Sequence, residues 1–310
     1  MHVVIAGSSG LIGTALTTAL THAGHRVTRL VRRPAQNPAE RTWDPAGGTI
    51  EHGALDGVDA VVNLAGAGIG DKRWSDERKR ELVDSRIGTT DLLARTIAAA
   101  DTPPAVFLSG SAIGFYGERG DQVLTEQSAA GEGFLADLCR RWEAATEPAA
   151  AAGVRVAHLR TGLVVSSKGG AMGKMLPLFK FGLGGRMGSG RDYWSWIHLA
   201  DEVAAIAFLL DNPVHGAVNL TAPNPVTNAE FTKELGRALR RPTLLPVPAF
   251  GPKLLLGPEL AEALLFCSAR VVPDALSTAG YRFRHPDLAG ALAAVARGDD
   301  SVVLPAAAQR

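Results

Sequence analysis

Near the amino terminus stands Gly7-Ser8-Ser9-Gly10-Leu11-Ile12-Gly13, three glycines at intervals of three. Glycine at the first position permits a tight turn, and at the second it lets backbone approach a pyrophosphate at a helix N-terminus. At the third it allows helix and strand to pack closely. A glycine triplet alone is weak evidence, and its context decides. His2–Ala6 is a short apolar run bounded by Gly7 and reads as a buried strand. Leu11, Ala15, Leu16, Ala19 and Leu20 then follow the helical period until Gly24, and Arg26–Val31 returns as a strand. This is a right-handed parallel βαβ unit. A dinucleotide is its expected ligand, lined by Gly7, Ser9, Gly10, Leu11, Ile12 and Gly13.

The end of the second strand bears on which dinucleotide. An acid there would hold a ribose 2′-hydroxyl, but the chain reads Leu30-Val31-Arg32-Arg33-Pro34. A guanidinium fork matches a 2′-phosphate in geometry and charge, so NADP(H) is the expected cofactor, at Arg32 and Arg33. The competing reading is that both arginines face solvent. A long helix starting at Ser75 carries the apolar stripe Leu82, Val83, Ile87, Thr90, Leu93, Ala94, Ile97, and Arg86 falls within it. A charge on a packed face needs a partner. Either a buried acid or the cofactor would serve.

These residues need a scaffold, and the alternation of elements supplies one. Further strands are expected at Asp59–Leu64, Ala105–Ser109, Val154–Leu159 and Ala217–Thr221, with helices over 75–100, 133–152 and 199–210 between them. The pattern predicts an α/β fold, a doubly wound parallel (Rossmann) sheet with a smaller C-terminal substrate lobe. Residues 1–165 form the nucleotide-binding domain, with 194–223 returning to it. Residues 166–193 and 224–300 form the lobe, with helices at 172–181, 228–239, 259–266 and 287–296, and the tail after Arg297 reads as poorly structured. Lys+Arg is 32 against Asp+Glu 31, which leaves no electrostatic footprint for nucleic acid or an anionic membrane. No apolar run approaches the ~18 residues that span a bilayer, and the early glycines do not suit a signal peptide. Cys139 and Cys267 fit no metal spacing and read as buried free thiols in a reducing compartment, so the expected location is cytoplasmic. The expected partner is a small-molecule substrate of unknown identity, with neither nucleic acid nor membrane. The apolar helix stripes fit a homodimer interface or packing on the sheet equally well.

The glycine turn, Asn63-Leu64-Ala65-Gly66 and Ser109-Gly110-Ser111 together resemble extended short-chain dehydrogenases/reductases. More narrowly, Arg73-Trp74, Ser85-Arg86, Arg160-Thr161-Gly162, Gly169-Gly170-Ala171-Met172, Gly188-Ser189-Gly190, Trp196-Ile197-His198-Leu199-Ala200-Asp201 and Thr227-Asn228-Ala229-Glu230-Phe231 are similar to the atypical epimerase/dehydratase-like branch. The run from Arg270-Val271-Val272-Pro273 to Gly280-Tyr281 is similar to that branch's own C-terminal module. The resemblance covers nearly the whole chain. It implies NADP(H) binding, with Arg32 near the adenosine phosphate and Leu64 and Ala65 lining the cofactor. It also implies that Glu81, Arg86 and the backbone around Val164 face the dinucleotide.

Short-chain dehydrogenases exchange protons through Tyr-x-x-x-Lys, where the lysine lowers the phenol's pKa. The residues four after Tyr116, Tyr193 and Tyr281 are Gly120, Ile197 and His285, so the pair is absent. Phe134 and Leu138 are expected in its places. Ser111 stands where the superfamily polarises its substrate, although a serine at a strand end also caps turns. Tyr116 in its glycine-flanked loop can donate a proton or can simply pack. His198 and Asp201 are expected to organise a strand-to-helix turn. Two readings follow: an epimerase or oxidoreductase with a non-standard acid, or a regulatory protein that holds NADPH without turning it over.

Overall fold

The expected parallel sheet forms around β1 (His2–Ala6) in the computed structural model of the protein, which describes residues 1–304. α1 (Leu11–His22) leads to β2 (Arg26–Val31), then β3 (Glu40–Asp44), β4 (Thr49–Ile50) and β5 (Ala60–Asn63). α2 (Asp76–Ala98) precedes β6 (Val106–Ala112), whose end turns through a short 3₁₀ helix (Ile113–Tyr116) into β7 (Val123–Leu124). α3 (Phe134–Ala144) and α4 (Glu147–Ala151) lead to β8 (Arg155–Thr161) and β9 (Leu163–Val165). α5 (Gly170–Lys180), β10 (Tyr193–Trp194), β11 (Trp196–His198), α6 (Leu199–Asp211) and β12 (Gly216–Leu220) follow. The remaining elements are β13 (Val226–Thr227), α7 (Asn228–Leu239), α8 (Phe250–Leu256), α9 (Pro258–Leu265), β14 (Arg270–Val271), α10 (Asp274–Thr278) and α11 (Leu288–Arg297). The main sheet has the order β12-β8-β6-β5-β1-β2-β3-β4 and is parallel except at its β3–β4 edge.

Consecutive strand residues point to opposite faces. Val3, Ile5, Val62, Leu108 and Leu159 pack with α1 and α6, whereas Val4, Ala6, Val61, Phe107 and Val156 pack with α2. Both faces are covered, which explains strands that are almost uniformly apolar. α2 starts where Ser75 Oγ accepts from the Arg78 N–H at 3.1 Å, with Asp76 and Glu77 in the first turn.

The single helix expected over 133–152 is two. Pro148 in the first turn of α4 lacks the N–H that a continuous helix would need, and Thr146 Oγ1 instead donates to the Glu143 carbonyl at 2.7 Å. β3, β4, β7, β9, β10, β13, β14, α8 and α10 lack an expectation, being too short or too polar to show a period. The tail expected to be poorly structured is anchored at Asp300, and residues 301–304 beyond it have no regular structure. Asp300 is 3% exposed and accepts from the Ser167 N–H at 3.0 Å, while residues 305–310 lie outside the described residues. Met172, Leu176, Phe179, Trp196, Phe231, Leu235 and Leu292 form a separate core built on α5, α7 and α11. Among the described residues no helix is long and apolar enough to cross a membrane.

Candidate functional site

A cleft of about 370 Å³ opens at the carboxyl ends of the central strands. Its floor is the glycine turn, with Gly7 and the run from Gly10 to Gly13. Leu64 follows β5, Gly110 and Ser111 come from β6, and Trp142 comes from α3. Thr161, Gly162, Leu163 and Val164 bring β8 into β9, and Gly170 and Ala171 open α5.

Two of the turn glycines are required by the protein itself. Gly7 has φ +78°, and a Cβ there would lie 2.5 Å from the Leu64 carbonyl group. A Cβ on Gly13 would lie 2.2 Å from the Gly7 carbonyl oxygen. Gly10 differs: its φ is −74° and an added Cβ would meet only the Gly7 carbonyl oxygen, at 3.5 Å. Gly10 also caps α1 without a side-chain hydrogen bond, and no acid stands in the first turn. The positive end of the helix is left uncompensated, as an anion site requires. A pyrophosphate fits this cradle.

The two arginines after β2 have different surroundings. Arg33 is clamped by Glu40 through two contacts of 2.8 Å, and Glu40 also takes Arg29 at 2.6 Å and the Gln36 N–H at 2.9 Å. The Arg33 fork holds the Glu40 carboxyl down at about 2. Arg32 is exposed, with no hydrogen bond or ion pair among the described residues.

Other expected residues lie apart from the cleft wall. Glu81 is 51% exposed and pairs with Arg78 at 2.5 Å. Arg86 donates to the carbonyls of Ala67 (2.9 Å) and Leu82 (3.2 Å) and lies 5.2 Å from the Trp142 ring centroid. It has no acid partner among the described residues, and burial pushes its pKa down. Ala65 N–H donates to Asn63 Oδ1 at 3.1 Å, beside the cleft-lining Leu64. Phe134 meets Trp74 edge-on at 5.1 Å, and Leu138 is 3% exposed, so neither presents an ionisable group.

Ser111 lines the cleft, and its hydroxyl donates to Glu143 Oε1 at 2.7 Å. Glu143 is held by the Arg160 fork at 2.8 and 2.9 Å. Arg160 also donates to the Tyr116 hydroxyl at 3.0 Å and lies 3.4 Å from the Phe115 ring centroid. Tyr116 in turn donates to Asn219 Oδ1 at 2.6 Å. The phenol is fully buried away from the cleft lining, and burial raises its pKa. Of the two expected catalytic residues, the structure places Ser111 in the cleft and Tyr116 in the packing behind it.

The second hydroxyl of the wall, Thr161 Oγ1, donates to Glu202 Oε1 at 2.8 Å. Glu202 is 0% exposed, its other carboxyl oxygen has no partner, and burial pushes its pKa up to about 8. Each of these two wall residues therefore gives its hydroxyl proton to a carboxyl group behind the cleft, the half-buried Glu143 and the fully buried Glu202. Sequence reasoning missed Glu143, Arg160, Thr161, Glu202 and Trp142 as participants. Arg160, near the end of a central strand, was the available signal, since a charge buried there demands a partner.

His198 Nδ1 caps α6 by accepting from the Ala200 N–H at 3.1 Å, and Asp201 accepts from the N–H groups of Arg284 (2.7 Å) and His285 (2.8 Å). Both hold the turn and the C-terminal segment. Arg73 donates to the Leu255 carbonyl at 2.9 Å, tying the lobe to the sheet domain, while Trp74 donates to the Ile69 carbonyl at 3.0 Å within its own loop. Gly188 and Gly190 have positive φ in a turn pinned where Met187 bridges Val247. Both cysteines are free, and burial pushes their thiols up, to about 11 for Cys139 and about 12 for Cys267.

A doubly wound sheet with a glycine cradle at its first turn, extended by a C-terminal lobe, defines the extended short-chain dehydrogenase/reductase class. The chain belongs to the NAD dependent epimerase/dehydratase family, whose model matches residues 3–221, and a domain of unknown function matches residues 247–295. It is 50% identical over 291 residues to epimerase family protein Mb2239 of Mycobacterium bovis, covering 94% of this chain and 96% of that one. It is 37% identical to the human epimerase family protein SDR39U1, covering 94% and 98%. The crystal structure of that human protein (isoform 2) with NADPH superposes with a TM-score of 0.87 at 36% identity, over 96% of this chain and 99% of the other. A nucleoside-diphosphate sugar epimerase from Corynebacterium glutamicum matches at 39% identity and TM-score 0.77, over 96% of this chain and 58% of the other.

Proposed function

We propose that the protein binds NADP(H) in this cleft, in preference to NAD(H), and that a small-molecule substrate reaches the cofactor from the side of Ser111. The observation that carries the cofactor preference is the contrast between two adjacent arginines. Glu40 occupies Arg33, and Arg32 keeps its whole fork for a 2′-phosphate. NADPH bound to the human relative supports this reading. The nicotinamide supplies or accepts a hydride when it is bound. The residues of this chain then orient the partner: Ser111, its proton committed to Glu143, offers lone pairs to a hydroxyl or amine of the ligand. No phenol or amine lines the wall among the described residues.

That last observation favours a second reading, in which the protein holds NADPH without turnover. Both readings are separated by two measurements. Fluorescence titration is expected to show NADPH binding at least tenfold tighter than NADH, with Arg32→Glu removing the preference. A wide preference for NADH would overturn the cofactor assignment. NADPH oxidation across a carbonyl panel, lost in Ser111→Ala, supports the enzyme. Tight NADPH binding with no hydride transfer to any member supports the holding protein.

A further inference from the structure

The two carboxyl groups behind the cleft differ in one respect. Glu143 faces a cation, Arg160, on two oxygens. Glu202 faces none: its single bond is from Thr161, its second oxygen is unpartnered, and it is wholly buried. Asp201, next to it in the chain, has its oxygens on the Arg284 and His285 N–H groups. Tyr281 donates to the Asp201 carbonyl at 3.0 Å, and burial raises its own pKa, so it stays neutral. No lysine, arginine or histidine charge contributes to the state of Glu202.

Strand order locates Thr161 relative to the ligand. With a 2′-phosphate at Arg32 after β2 and a pyrophosphate at the turn after β1, the chain of the dinucleotide must run on over β5 and β6 towards β8. Thr161 ends β8, four strands from β2, so the nicotinamide half is the part that meets it. The two redox forms of that half differ by one positive charge. A carboxyl group with no cation of its own, joined to this wall through Thr161, is the group able to answer that difference.

We infer that Glu202, coupled to the cleft through Thr161, is the residue by which this protein discriminates oxidised from reduced cofactor: it releases its proton to bulk water when NADP⁺ binds and keeps it when NADPH binds. The inference rests on the NADP(H) reading above. Glu202 is a positioning residue and takes no part in hydride transfer. The direction follows from charge alone. The carboxylate attracts a cationic ring, and a neutral ring leaves the buried acid protonated.

Calorimetric binding in buffers of different ionisation enthalpy counts the protons exchanged. A unit positive charge in the cleft is expected to shift the Glu202 equilibrium about tenfold. At pH 8, where its carboxyl group is half ionised, NADP⁺ should release about 0.4 proton more than NADPH. Protons linked to the 2′-phosphate are common to both ligands and cancel. From pH 6 to pH 10 the affinity for NADP⁺ relative to NADPH should rise about tenfold, and Glu202→Gln should flatten that profile. Should the variant not fold, infrared difference spectra of the wild-type protein at pH 7 serve instead. The carbonyl band of a protonated carboxyl group should weaken on adding NADP⁺ and persist on adding NADPH. Equal proton exchange and equal spectra for two cofactors that both bind would overturn this inference and leave the cofactor assignment standing. Failure of both cofactors to bind would overturn the assignment, and this inference with it.

Discussion

Replacing Glu143 by glutamine tests whether the cluster behind Ser111 is held by charge. The Glu143 side chain is 12% exposed and that of Arg160 5%, with two oxygens on one fork. Removing one member of such a pair leaves the other charge buried without compensation, at a cost of about 3–5 kcal/mol. Glutamine keeps one acceptor for the guanidinium, and the Phe115 ring still faces it, so the lower end, about 3 kcal/mol, is expected. For a chain of this size that is a fall of about 5 °C in Tm. Arg160→Met should cost a similar amount, because it strands the carboxylate and removes the donor to the Tyr116 hydroxyl. The two losses are not independent. Denaturant unfolding of wild type, both single variants and the double variant gives a coupling energy, expected at about 2 kcal/mol or more in favour of the intact pair. Additive costs, or single variants within about 0.5 kcal/mol of wild type, would refute the picture of a charge-neutralised cluster.

Gly7→Ala sets a Cβ within 2.5 Å of the Leu64 carbonyl group at a φ of +78°. Circular dichroism should show a stability loss of a few kcal/mol, and titration a loss of NADPH affinity of tenfold or more. Tyr116→Phe strips the donor from Asn219 and the acceptor from Arg160, and should lower stability by about 1–3 kcal/mol in urea unfolding. His198, held at about 4 and 1% exposed, has a folded pKa below its unfolded value. Its unfolded form therefore binds the extra proton between pH 6.5 and about 4, and stability is lost as pH falls through that window, by up to about 3 kcal/mol; His198→Asn should flatten that acid limb. Glu202 has the opposite sign: its raised pKa makes stability fall as pH rises from 4.5 to about 8, and Glu202→Gln should remove that slope in pH-dependent unfolding.

The sheet was legible because both of its faces are covered. Val3 to Ala6 and Ala60 to Val62 are apolar on consecutive residues, and only a doubly packed strand needs that. The glycine cradle was legible because its spacing lies within one turn between a strand and a helix, and Gly13 answers a contact with Gly7 only six residues back, although the Leu64 carbonyl that Gly7 must clear lies far along the chain. β3 was not legible. Glu-Arg-Thr-Trp-Asp alternates nothing a pattern can detect, and Glu40 is buried there only because Arg29 and Arg33 meet it from β2 and the following turn. Tyr116 shows the same limit from the other side. A tyrosine between glycines reads equally as donor or as filler, and what decides is Asn219, 103 residues on, together with Arg160. Contacts of that range leave no local trace.

Under the NADP(H) reading, the preference for a 2′-phosphate would depend on Glu40, a residue engaged with Arg29 and Arg33 rather than with a ligand. The sequence offers two adjacent guanidinium groups with equal claims on a phosphate. Without Glu40 both would be mobile and exposed, and ordering either on a ligand would cost side-chain entropy. The Glu40 carboxylate, bonded to Arg29, Arg33 and the Gln36 N–H, fixes the chain where it leaves β2 and so fixes the backbone that carries Arg32. Arg32 then begins close to the end of β2 with its donors free. If Arg32 holds the 2′-phosphate as proposed, Glu40→Gln should therefore weaken NADPH binding severalfold and NADH binding less. Equal losses for both cofactors in parallel titrations would show that Glu40 supports the whole edge of the sheet rather than the phosphate site.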